Sequence, residues 1–63
     1  MKYFIWVRNA KKGKTKTGWV SKTGIESDFS KAVAVTRKKA QELVEVYLGD
    51  FRADQVNVTN LDV

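Results

Sequence analysis

The 63-residue sequence contains no cysteine, no histidine and no proline. Without cysteine no disulfide can brace the fold, and without Cys and His there is no Cys/His zinc site. The missing histidine removes the commonest acid–base catalyst. Scattered serines and threonines are also left without a His or Cys to activate them. Long apolar runs are absent: the longest, Tyr3–Val7, has five residues, against roughly 20 for a membrane span. Met1-Lys2 followed by so short a run lacks the apolar core and small-residue cleavage site of a signal peptide. A soluble cytoplasmic protein, with no membrane partner, is the expectation.

Motifs for cofactors are missing too. The glycines at 13, 18, 24 and 49 match neither a P-loop nor a dinucleotide fingerprint. Glu42 and Glu45 stand three apart, with Asp50 and Asp54 beyond them, but this spacing fits no calcium loop and reads as a solvated acidic face. A chain of this length forms one thin domain, residues 1–63, which buries only about 60% of its unfolded surface. Such a domain is expected to lack the volume for a small-molecule pocket. No catalytic residue, metal or cofactor is expected, and the chain does not read as an enzyme.

What is present is an ordinary globular balance, 43% hydrophobic and 30% charged, with a net charge of +5. Residues 1–39 hold eleven Lys and Arg against Glu26 and Asp28, while residues 40–63 hold five acids against Arg52. The molecule should be bipolar, with a basic N-terminal part suited to an anionic partner, nucleic acid first. Solvation by surface lysines is the competing account.

Lys2–Arg8 is β-branched and aromatic and reads as a strand; Thr17–Thr23 reads as a second. The lysine-rich loop 9–16 joins them. In Ile25–Lys31, Asp28 is suited to cap a short helical turn with Phe29 and Ala32 pointing inward. Residues 32–35 read either as a third strand or as the lead into a helix. Thr36 is a good N-cap for a helix over Arg37–Leu48. There Ala40, Leu43, Val44, Tyr47 and Leu48 form one apolar stripe, and Gly49 is placed to end it. Arg37, Lys38 and Lys39 oppose the helix dipole, and such a basic first turn is also suited to holding a phosphate. Gln55–Thr59 alternates as a last strand. Leu61 and Val63 fall on the other parity, so either a bulge near Thr59–Asn60 resets the phase or the end leaves the sheet.

A lone helix with one apolar stripe needs a sheet to cover. The expected fold is a small two-layer α+β domain, a three- or four-stranded mostly antiparallel sheet with one helix on one face. Its core would draw on Tyr3, Ile5, Val7, Val20, Val35, Ala40, Leu43, Val44, Tyr47, Val56 and Val58. Strand parity then sends Lys2, Phe4, Trp6, Arg8 and Trp19 to the uncovered face, beside Lys11, Lys12, Lys14 and Lys16. Aromatic rings among cations suit single-stranded nucleic acid, and Trp and Arg equally anchor protein interfaces. Two alternatives remain open: the opposite phase, or a patch covered by residues 25–31. The chain could be a monomer or pair with itself through the same face.

Asp28-Phe29-Ser30-Lys31-Ala32, then Val35-Thr36, Lys39-Ala40 and Leu43-Val44, resembles small uncharacterised proteins encoded by phages and prophages of Gram-positive bacteria. Met1–Val7 and Val56–Val58 match their opening and closing strands. Val35 stands where an aromatic is usual, and the lysine loop is longer. The resemblance implies a ββαβ-like fold, a bacterial host and no particular activity. A looser likeness, at the level of fold, is to the hybrid-binding module of some ribonucleases H. Two functions follow as expectations: a non-enzymatic phage-type module that binds a protein, or a nucleic-acid-binding module.

Overall fold

In a computed structural model that describes residues 2–61, Lys2–Ala10 forms β1, Lys16–Ser21 β2, Gly24–Glu26 β3, Arg37–Gly49 α1 and Gln55–Leu61 β4. The four strands make one antiparallel sheet in the order β3-β2-β1-β4. Helix α1 lies on one face, over β1 and β4. This is the α+β arrangement expected, with four strands rather than three. No helix among the described residues is long and apolar enough to cross a membrane.

β1 pairs with β4 without interruption, from Lys2 opposite Leu61 to Arg8 opposite Gln55. The bulge near Thr59–Asn60, one of the two alternatives for this end, is therefore absent. Leu61 stays in the ladder, on the face opposite Val56 and Val58; Val63 lies outside the described residues. The irregularity sits in β1 instead, where the register with β2 shifts between Val7 and Ala10. Asn9 takes a left-handed conformation there (φ 54°). The extra residue resets the phase. Val7 and Ala10 are three apart, yet both are buried, at 0% and 1% exposure.

The third strand is Gly24–Glu26, not residues 32–35. Those residues make two isolated bridges, Ala32 with Ser21 of β2 and Val35 with Tyr3 of β1, both antiparallel. A straight strand cannot run antiparallel to two strands that oppose each other, so the chain bends between Ala32 and Val35. The Val33 N–H donates to the Val20 carbonyl at 3.1 Å, and Tyr3 and Val35 exchange bonds of 3.1 and 2.8 Å. The segment thus fills the opening where β1 and β2 part.

Thr36 caps α1 as expected, its Oγ1 accepting from the Lys39 N–H at 3.2 Å. Ala40 and Tyr47 are buried and Leu43 is half-buried against the sheet. Leu48, expected on the stripe, is exposed. Gly49 does not end the helix; it is the last helical residue, and Asp50 is the C-cap with a helical backbone. The chain turns at Arg52 (φ 52°). Ala53, which follows, is buried and donates to the Tyr47 carbonyl at 2.9 Å.

The core on the helix side holds Ile5, Val7, Ala10, Val20, Ala40, Tyr47 and Ala53, with Tyr3, Ile25, Val35, Leu43, Phe51 and Val56 packed around it. Val58, expected inside, is 44% exposed because it lies on the edge strand β4. The halves of the chain do not form separate charged lobes. Acidic Asp54 binds Lys11, and Glu42 lies 3.8 Å from Lys39, so the charge split along the sequence is interleaved by folding.

Two glycines should respond oppositely to alanine. A Cβ at Gly18 (φ 154°) would come within 2.4 Å of the Glu26 carbonyl oxygen, whereas one at Gly49 meets nothing. In urea unfolding, Gly18→Ala should destabilise by about 1–3 kcal/mol. Gly49→Ala should stabilise by about 0.5–1 kcal/mol, since helical alanine orders at less entropic cost than glycine.

Candidate functional site

Trp6 stands directly opposite Trp19, and Trp6 opposite Asn57, so the three share one face of the sheet. Phe4 and Arg8 fall on that face by alternation, as do Gln55 and Thr59 of β4. The main core is built on the other parity, Ile5 and Val7. The expected phase is therefore observed: the aromatic residues point away from α1.

This face is not fully open. Asp28 caps the single-turn helix Phe29–Lys31 by accepting from the Ser30 N–H at 3.0 Å. That turn sets the Phe29 ring over the sheet. Its centroid lies 5.1 Å from that of Phe4 and 4.7 Å from that of Trp19, the latter edge-on at 72°. Phe4 is left 8% exposed. It is thus a packing residue of this face and not a partner contact, a correction to its expected role. Phe29 does not point into the main core, and Ile25 does so instead. Trp6 and Trp19 remain half-buried, and Lys2 and Arg8 are exposed. Gln55 and Asn57 are exposed, and Gln55 Nε2 donates a hydrogen bond to Asn57 Oδ1 at 3.1 Å. What stays accessible is a strip of Trp6 with Arg8, Asn57 and Gln55, bordered by Trp19.

The hairpin lysines do not join that strip. Lys11 is held by Asp54, and its backbone N–H donates to the Phe51 carbonyl at 2.6 Å. Lys12 places its ammonium 5.1 Å from the Phe51 ring centroid, a cation–π contact. Lys16 lies opposite Ala10, a core residue, so it belongs to the helix side. Lys12, Lys14 and Lys16 line a cavity of about 320 Å³ there, larger than so thin a domain was expected to hold. Arg37, Lys38 and Lys39 are exposed at the other end of α1, about 20 Å from the hairpin along a 13-residue helix. The hairpin lysines expected beside the aromatic face thus stand apart from it. The sequence alone could not show this, because it depends on which side of the sheet the hairpin curls toward.

Asp54 and Asp28 have structural tasks. Asp54 accepts from Lys11 Nζ and, at 2.8 Å, from Asn9 Nδ2. These bonds hold its carboxyl below the usual carboxylate range. Asp28 is likewise lowered, chiefly by the Ser30 backbone N–H. Burial pushes the Tyr47 hydroxyl up. Among the described residues no group of three His, Cys, Asp or Glu could hold a metal ion.

The fold and this strip define a small α+β domain with an incompletely covered aromatic sheet face. No protein-family model, no curated protein and no solved structure matches the chain.

Phe29→Ala should uncover Trp19. The tryptophan emission should shift to the red with unchanged far-ultraviolet dichroism, and stability should fall by about 1–2 kcal/mol. Asp54→Asn should lower the melting temperature at neutral pH. Because Asp54 is depressed in the folded state, its contribution is present above the unfolded carboxylate value of about 3.9. It is lost as pH falls through the folded value, so the two melting curves should converge in acid.

Proposed function

We propose that this chain is a non-catalytic binding module whose sheet face takes single-stranded nucleic acid. One observation carries the reading. Trp6 and Trp19 sit side by side on adjacent strands of the face that α1 leaves bare, with Arg8, Asn57 and Gln55 around Trp6. An indole offers a stacking platform for a base, an arginine pairs with phosphate, and amide side chains match base edges. The net charge of +5 adds a general attraction for the backbone.

Titration of tryptophan fluorescence with single-stranded DNA and RNA oligomers tests the proposal. Binding should quench the emission and weaken steeply between about 50 and 200 mM salt. Trp6→Ala should cost at least about tenfold in affinity, as expected for one stacked base. Arg8→Gln should flatten the salt dependence. Unchanged affinity in Trp6→Ala, or no binding at low salt, overturns the reading in favour of a protein partner for this face.

A further inference from the structure

On the helix side, α1 packs over β1 and β4, leaving the β2–β3 wing without a helix above it. The cavity of about 320 Å³ lies along this wing, between the C-terminal turn of α1 and the lysine hairpin. Its volume is at the lower end of the range used by small ligands, roughly 300–1,000 Å³. Its apolar walls include Ile25, Tyr47 and Phe51. The two rings stand 4.5 Å apart, centroid to centroid, inclined at 37°. They pack against each other, with the Lys12 ammonium over Phe51, and form one aromatic wall of the cavity.

Three cations, Lys12, Lys14 and Lys16, line the same cavity, and no carboxylate does. Two nearby acids are engaged elsewhere. Asp54 is held by Lys11 and Asn9. Glu26 lies on the opposite face, opposite Trp19, and is 3.7 Å from Lys31. Lysines gathered without a counter-charge repel one another, and an anion between them relieves that repulsion. The aromatic walls favour a ring as the body that carries the anion.

We propose that this cavity binds a small aromatic anion, a flat ring system bearing one carboxylate or phosphate group. The ring lies against Tyr47 and Phe51, and the anionic group meets the ammonium groups of Lys14 and Lys16. Lys12, already over Phe51, closes the side. The site is on the opposite side of the sheet from the Trp6 strip and does not rest on the nucleic-acid reading.

Amide chemical shifts of the intact protein, titrated with three probes, test this. Naphthoate supplies ring and charge, naphthyl methanol the ring alone, and inorganic phosphate the charge alone. Naphthoate should saturate and shift Ile25, Tyr47, Phe51 and the hairpin, binding about tenfold or more tighter than either partial probe, as expected for a charge-assisted contact. The double variant Lys14→Gln/Lys16→Gln alters only exposed side chains, and its spectrum reports whether it is folded. It should lose that advantage while leaving naphthyl methanol unaffected. The proposal is overturned by any of four results: no naphthoate binding, equal binding of the alcohol, equal binding of phosphate, or shifts centred on Trp6 and Trp19.

Discussion

One helix about 10 Å across cannot cover four strands spaced about 4.8 Å apart. Most of the structure follows from that mismatch of widths. Helix α1 lies on β1 and β4, so β1, inside the sheet and beneath the helix, carries the two largest fully buried side chains, Ile5 and Val7. The β2–β3 wing on the helix side is left for the hairpin lysines and the aromatic end of α1 to flank. The opposite face carries only the single turn Phe29–Lys31, which sets the Phe29 ring over Phe4 and Trp19.

Covering both faces with one short chain requires a passage from one to the other. It runs through residues 32–35, which thread between the parting ends of β1 and β2 and bond to both. The passage fixes the start of α1 beside Tyr3, and the length of α1 then brings Tyr47 and Phe51 to the hairpin. There Lys11, Asp54 and Asn9 tie the end of β1 to the start of β4. These polar ties are exposed, so each is worth little alone. Their effect is positional: they hold the hairpin against the end of α1, and this is where the cavity forms.

Much of this is legible in the sequence for local reasons. Alternation places Ile5 and Val7 on one side and Trp6 on the other. Thr36 followed by the 3.6-residue stripe marks α1. Asp28 two residues before Ser30 marks the short turn. The failures concern backbone conformations and pairings that residue types do not show. The bulge at Asn9 bonds to Thr17 and Asp54, the third strand pairs with β2 across a tight turn, and Gly49 stays within its helix. Gly18 shows this best. As a sequence symbol it is one of four glycines, but in the fold it is where the Glu26 backbone passes too close for a side chain.

The sequence by itself determined the fold class and the alternation within each strand, because these rest on composition and on the periods of helix and strand. Only the tertiary structure decided which cations stand near which aromatic rings. Arg8 and the hairpin lysines lie close in the chain, yet a sheet has two sides and a hairpin can curl to either. Here the curl sends Lys12, Lys14 and Lys16 to Tyr47 and Phe51, and leaves Trp6 with Arg8 and the amides of β4.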